Sequence, residues 1–133
     1  MHPRFDVGHM SLTDVAKVMD DYVRAVETGR AAAEGWPGWI NPPSKVGQVA
    51  AVKVLARELG GEAAQRDILV NAACPGLVDT GASRPWFDDM SGALSPGEAA
   101  ADVLWLATLP TGTREPCGEL VQYRKVLPFT PSA

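Results

Sequence analysis

The chain has few cysteines and histidines and lacks long apolar runs. Its 133 residues include 2 cysteines and 2 histidines, which is too few for a disulfide framework or a thiolate zinc site and fits a reducing compartment. No stretch approaches the roughly 20 consecutive apolar residues of a membrane span, and the first residues lack the apolar core of a secretory signal. We therefore expect a cytoplasmic protein with no membrane contact and no bound metal.

Basic residues are scarce relative to acidic ones. Lys and Arg number 12 and Asp and Glu number 16, which gives a formal net charge of −4. No basic run is present to follow a phosphate backbone, so we do not expect nucleic acid as a partner. The 46% hydrophobic and 21% charged residues instead match a folded globular domain.

Two helices are predicted in the first half of the chain. Between residues 12 and 28, apolar side chains recur every three or four positions, with Thr13 as the expected cap and Gly29 just after the end. A second pattern covers 44–59, and we expect it to end at Gly60-Gly61. Its apolar positions cover more than half the circumference, which indicates neighbours on more than one side.

A third helix is predicted from local chemistry at its start. Ser95 can cap the helix, Pro96 suits the first helical position, and Glu98 can close a capping box. We expect this helix to run to about residue 109.

Two short strands complete the predicted elements. Residues 68–74 form a nearly continuous apolar run stopped by Pro75-Gly76, which indicates a strand buried on both faces of a parallel sheet. Residues 118–122 indicate a second strand. The order helix, helix, strand, helix, strand predicts an α/β fold with parallel strands and right-handed crossovers. The connection over 75–94 has the length of a lid or a binding loop.

Two strands and three helices leave apolar surface uncovered. We therefore expect the chain not to be a stable monomer, and to pair as a homodimer through its strand edges or through the helix at 44–59. The predicted organisation is an N-terminal arm at 1–11, one partial domain at 12–127 and a C-terminal tail at 128–133.

Five segments carry a family likeness: Glu34-Gly35-Trp36-Pro37, Ser44-Lys45-Val46-Gly47, Cys74-Pro75-Gly76-Leu77-Val78-Asp79-Thr80, Ser95-Pro96-Gly97-Glu98-Ala99-Ala100 and Gly118-Glu119-Leu120-Val121. Together they resemble the short-chain dehydrogenase/reductase family, in particular its monomeric NADPH-dependent carbonyl reductases. The resemblance spans about 11–123 and matches the C-terminal half of the family fold. It implies a truncated, Rossmann-like doubly wound parallel sheet, with NADP(H) as cofactor and small ketone or quinone carbonyl compounds as substrates.

The resemblance assigns Lys45 to catalysis and to the cofactor ribose. In the family, a tyrosine four residues before this lysine donates a proton, and the lysine lowers the pKa of that tyrosine. Asn41 stands at the tyrosine position and cannot act as a general acid near neutral pH. Pro42-Pro43 is expected to displace the start of the helix, which would leave Lys45 in the first turn.

The resemblance also implies cofactor contacts from the segment that covers the nicotinamide, namely from Pro75, Gly76, Val78 and Thr80. Three aromatic residues are candidates for a substrate wall, although such residues in loops also pack against their own domain or a second copy: Trp36, Trp39 and Trp86. The Gly-rich turn that holds the pyrophosphate in the family is absent from this sequence.

Three functions remain open at this point. The chain is the C-terminal part of a carbonyl-reductase-like oxidoreductase whose other half comes from another polypeptide, or a remnant that pairs with itself and binds a small ligand or a protein, or a non-redox lyase, isomerase or cyclase that uses the old substrate pocket. Asn41 argues against hydride transfer by this chain alone. No set of acid, base and nucleophile supports the third alternative.

Overall fold

The computed structural model describes residues 4–129, so residues 1–3 of the predicted arm and 130–133 of the predicted tail lie outside the described residues. Three helices and three short strands follow the order α1, α2, β1, α3, β2, β3. Their bounds are Leu12–Glu27, Asn41–Gln65, Ala72–Ala73, Pro96–Ala107, Leu120–Gln122 and Lys125–Leu127. The α/β class and the order of the first five elements are confirmed.

A capping box at Ser11 stabilises the start of α1, whose first helical residue is Leu12. The Ser11 hydroxyl accepts from the Asp14 amide at 3.2 Å, and the Asp14 carboxylate accepts from the Ser11 amide at 3.0 Å. The Asp14 carboxylate accepts from the Ser11 amide, from the Ser11 hydroxyl and from the Lys17 ammonium, and these three bonds lower the pKa of Asp14 to about 2. The predicted cap at Thr13 is therefore wrong, because Ser11 has the acidic residue three positions later that a capping box requires.

The predicted cap of α3 is confirmed. The Ser95 amide donates to the Glu98 carboxylate at 2.8 Å, and the Glu98 amide donates to the Ser95 hydroxyl at 3.3 Å. Pro96 is the first helical residue, and the helix ends at Ala107, two residues before the expected end.

Helix α2 is longer than predicted at both ends. Its first turn contains Pro42 and Pro43, and Asn41 is already helical. The expected displacement of the helix start is wrong, because the first turn leaves its amides unpaired and therefore tolerates proline. The helix also continues through Gly60-Gly61 to Gln65. Burial of Ala63 beyond the glycines shows that packing outweighs their local tendency to break a helix.

The sheet is mixed, with the strands in the order β1, β2, β3. β1 and β2 pair in parallel, as predicted, with Ala72 opposite Leu120. Strand β1 is shorter than the predicted strand 68–74. Ala73 is exposed rather than buried, because β2 covers only one edge of β1. The antiparallel strand β3 was not predicted.

A two-residue turn joins β2 to β3. Tyr123 and Arg124 both have positive φ, 49° and 60°, which is the backbone of a type I′ hairpin turn. The Arg124 guanidinium also donates to the Asp102 carboxylate of α3 at 2.9 Å. The turn therefore ties the sheet to that helix.

The core lies between α1, α2 and the sheet. Gly47 of α2 faces Met19 of α1 so closely that an added Cβ would meet the Met19 sulfur. The buried cluster includes Phe5 from the predicted arm and Phe129 from the predicted tail; its other members are Val15, Val49, Ala50 and Val54. The predicted domain boundaries therefore do not separate the packed residues from the arm and the tail.

Candidate functional site

An open groove of about 650 Å³ lies between the first half of α2 and the end of β1. Asn41 and Lys45 line it from α2, and the turn Pro75-Gly76 lines it from the sheet side. The remaining lining is mostly apolar: Val46, Val49, Val52, Ala72, Ala73, Leu120, Pro128 and Phe129, with Gln48 and Cys74. The groove therefore combines three polar side chains of one helix, Asn41, Lys45 and Gln48, with mostly apolar walls.

Asn41 and Lys45 are one helical turn apart and share one face of α2. Lys45 lies in the second turn, so the expected first-turn position is wrong, since the helix begins at Asn41. The exposed Lys45 ammonium contacts the Gln48 side-chain oxygen at 3.4 Å. The four-residue spacing that the resemblance implies for a tyrosine and a lysine is present, with Asn41 at the position predicted for the tyrosine.

The turn at 75–76 has a backbone that favours glycine. Gly76 has a φ of 77°, and the Tyr123 hydroxyl lies where a Cβ would be. Next to the turn, the Gln122 side-chain amide lies 3.2 Å from the Cys74 sulfur. Residues of the β2–β3 hairpin therefore support the groove wall from behind.

Val78 and Thr80 are not among the described residues that line the groove. Val78 forms a parallel bridge with Leu94. The Thr80 amide donates to the Ser83 hydroxyl at 3.0 Å, and the Thr80 and Ser83 hydroxyls lie 3.1 Å apart. These polar groups of Thr80 are therefore engaged within their own loop.

An ion pair closes the same loop. The Arg84 guanidinium donates to both Asp79 oxygens, at 2.6 and 3.2 Å. This contact holds the pKa of Asp79 below its usual range and raises that of Arg84. The loop is thus ordered by its own contacts rather than by contacts to the groove.

The three tryptophans singled out in the sequence lie outside the groove. Trp36 is buried in a small cluster, 5.0 Å from Tyr22 between ring centroids, with the Arg4 guanidinium 4.1 Å from its ring centre. Trp39 and Trp86 are exposed in loops. Apolar residues of α2, such as Val49 and Val52, form the groove wall instead. The sequence feature that could have identified these wall residues is the broad apolar face predicted for this helix.

The residues present fit only one end of NADP(H). The Lys45 ammonium and the turn 75–76 offer polar contacts at the groove mouth. A pyrophosphate needs converging backbone amides at a Gly-rich turn, and the sequence contains no such turn. Among the described residues, the groove lining therefore includes no such set of converging amides.

Residues 4–129 contain neither a metal-binding cluster nor a membrane-spanning helix. No group of three or more His, Cys, Asp or Glu side chains there could hold a metal ion. Within the same residues, no helix is both long enough and apolar enough to cross a membrane.

Comparison with known proteins gives a consistent set of relatives, although no protein-family model matches the chain. Carbonyl reductase (NADPH) 1 of Rattus norvegicus is 34% identical over 116 residues, 87% of this chain and 40% of the relative. Carbonyl reductase (NADPH) 3 of Rattus norvegicus is 31% identical over 126 residues, which are 95% of this chain and 44% of the relative. Carbonyl reductase (NADPH) 1 of Homo sapiens is 30% identical over 113 residues, which are 85% of this chain and 39% of the relative.

The predicted resemblance is thereby confirmed. Over most of its length the chain is similar to carbonyl reductases, and it spans about two fifths of the length of these curated relatives.

Proposed function

We propose that this chain binds a small ketone or quinone in the groove, and that by itself it does not transfer hydride to that ligand. The observation that carries the proposal is the pair Asn41 and Lys45, one turn apart in the lining of a mostly apolar groove. The expected cytoplasmic location is part of the proposal and rests on the sequence alone.

The chemistry of the lining supports carbonyl binding. A carboxamide N–H and an ammonium N–H can each donate a hydrogen bond to a carbonyl oxygen. The apolar wall around Val49 and Val52 suits the carbon skeleton of such a ligand. Asn41 cannot donate a proton to the oxygen of a reduced carbonyl at neutral pH. The groove can therefore hold a carbonyl compound without completing its reduction.

A calorimetric titration with menadione, a small uncharged quinone, tests the binding. We expect saturable binding to the chain and a roughly tenfold loss of affinity in Lys45→Met, because one hydrogen bond to a charged donor contributes about 1.5 kcal/mol. Lys125→Met is the matched control, since Lys125 is exposed on β3 and is not among the groove residues. Absence of saturable binding, or equal losses in both variants, would contradict the proposal.

A second candidate function is NADPH-dependent reduction with the nucleotide-binding part supplied by another polypeptide. The preserved spacing of Asn41 and Lys45 in α2 favours it, because a tyrosine at 41 would share a helix face with the lysine. NADPH oxidation at 340 nm with menadione should be compared for the wild type, Asn41→Tyr and Asn41→Phe, which lacks the phenolic proton. Turnover confined to Asn41→Tyr would support reduction chemistry at this site. Turnover by the wild-type chain would contradict both candidates, because the chain would then need neither a phenol at position 41 nor a second polypeptide.

A further inference from the structure

A row of three polar side chains runs along one side of the groove. Asn41, Lys45 and Gln48 all belong to α2, and all three line the groove. Residues three and four positions apart share one face of a helix, and the step from Asn41 to Lys45 is about 6 Å along the helix axis. Asn41 and Lys45 serve the proposed carbonyl contact, whereas Gln48 has no part in it.

Gln48 is joined to Lys45 by a direct contact. The Lys45 ammonium donates to the Gln48 side-chain oxygen at 3.4 Å. An ammonium has three N–H donors and a carboxamide has two, so this contact uses one donor of Lys45 and none of Gln48. The contact turns the Gln48 oxygen towards the ammonium and leaves the Gln48 amide N–H groups for another acceptor. The two side chains therefore offer N–H donors side by side.

The charge of the groove lining is positive. Among the described residues that line the groove, Lys45 is the only charged one, and none is Asp or Glu. The described contact of its ammonium is to a neutral side chain, which leaves the positive charge uncompensated there. Complementary charge is a source of specificity in binding. The lining therefore favours an anionic group beside Lys45 over a neutral one.

We propose that Lys45 and Gln48 bind the carboxylate of a small oxo acid, and that the keto oxygen of the same ligand accepts from Asn41. One carboxylate oxygen accepts from the ammonium and the other from the Gln48 amide. The carbon skeleton lies against the apolar wall of α2. This inference rests on the proposed carbonyl binding and narrows its ligand to an anionic class.

The spacing along α2 sets the length of the ligand. An extended spacer of three methylene groups separates a carboxylate carbon from a keto carbon by about 5 Å, which is close to the step from Asn41 to Lys45. An aryl ketone with this spacer, γ-benzoylbutyrate, therefore suits both polar contacts and the apolar wall. Menadione has no charge and two keto oxygens, so it can use the same donors without the charge-assisted bond.

Calorimetric titration of γ-benzoylbutyrate and of its primary amide, γ-benzoylbutyramide, tests the charge preference. The two ligands share their keto group and shape and differ in charge. We expect the wild-type chain to bind the acid about five- to tenfold more tightly than the amide. Lys45→Met should reduce this ratio to less than about twofold, and Gln48→Leu should reduce it in part, because one of the two carboxylate contacts remains.

Two matched controls separate the groove from the rest of the surface. Lys125→Met and Gln65→Leu remove the same kinds of group at exposed positions that do not line the groove, so both should keep the wild-type ratio. Circular dichroism establishes that the variants are folded. The wild-type chain provides a test of its own: the ratio should fall as salt rises from about 0.05 to about 0.5 M, because salt screens exposed charges.

The outcomes distinguish this inference from the proposed function. Equal affinity for the acid and the amide, in a chain that still binds menadione, would overturn the carboxylate site and leave carbonyl binding in place. Binding of δ-phenylvalerate, which lacks the keto group, as tightly as the oxo acid would overturn the contact with Asn41. Absence of binding by menadione and by both ketones would overturn the proposed function and this inference together.

Discussion

The hydroxyl of Tyr123 fills the space beside Gly76 in which any other residue would place its Cβ. Both residues have positive φ, 49° and 77°, and they belong to two different turns. The β2–β3 hairpin and the turn that ends β1 therefore meet at one end of the groove. The shape of the groove depends on a hairpin that the sequence pattern does not predict.

Replacement of Gly76 by alanine should destabilise the fold by about 1 to 3 kcal/mol, because the new Cβ meets Tyr123 and the backbone is strained. Urea unfolding measures the change. Gly81→Ala is the control: its added Cβ has no atom within 4 Å and its φ is not positive, so we expect a change below about 0.5 kcal/mol. Equal effects at both positions would show that the contact with Tyr123 is unimportant.

Replacement of Gly60 by alanine should stabilise the chain by about 0.5 to 1 kcal/mol, because Gly60 lies inside α2 with open space around it. Gly35→Ala has equally open space but a φ of 72°, so it should destabilise. Thermal unfolding distinguishes the two. A loss of stability in Gly60→Ala would mean that the helix ends at the glycine pair.

An ion pair between α2 and β2 should contribute measurably to stability. The Lys53 ammonium lies 2.7 Å from the Glu119 carboxylate and 2.9 Å from the Gly118 carbonyl, with both side chains largely shielded. Lys53→Met should lower the free energy of unfolding by about 1 to 3 kcal/mol.

The largely exposed pair of Arg66 and Glu62 provides the comparison for that ion pair. Arg66→Met should change stability by less than about 0.5 kcal/mol, because solvent screens the charges. A double-mutant cycle of Lys53→Met with Glu119→Gln isolates the pair, and a coupling energy near zero would contradict its role.

The capping carboxylates predict how stability depends on pH. Bonds from Ser11 and Lys17 lower the pKa of Asp14 to about 2, and bonds from Ser95 lower the pKa of Glu98. Since each pKa is lower in the folded state, their contribution is present above the ordinary carboxyl pKa and is lost as the pH falls through the folded value.

Melting temperature should therefore fall between about pH 4 and pH 2. The decline should be shallower in Asp14→Asn, whose side chain still offers an oxygen to the Ser11 amide but does not titrate in this range. Identical profiles for the variant and the wild type would refute the assignment.

Local chemistry explains which elements the sequence predicts. The start of α3 follows from Ser95, Pro96 and Glu98, since a capping box acts over four residues. These features need no knowledge of the rest of the chain.

The features that sequence reasoning missed depend on distant contacts. α2 passes Gly60-Gly61 because packing continues at Ala63. β3 follows a turn made by Tyr123 and Arg124, which lacks the glycine or asparagine that usually marks such hairpins. Trp36 is part of the core because Tyr22 of α1 packs against it, a contact that no local pattern indicates.

The proposed function requires that the groove binds a carbonyl compound and that this chain alone does not bind a complete dinucleotide. A calorimetric titration of NADPH into the purified chain at known oligomeric state, with menadione titrated in parallel, tests this most directly. We expect saturable binding of menadione and no saturable binding of NADPH up to millimolar concentration. Micromolar, saturable NADPH binding would contradict the account, because it would require a pyrophosphate site that the sequence does not supply.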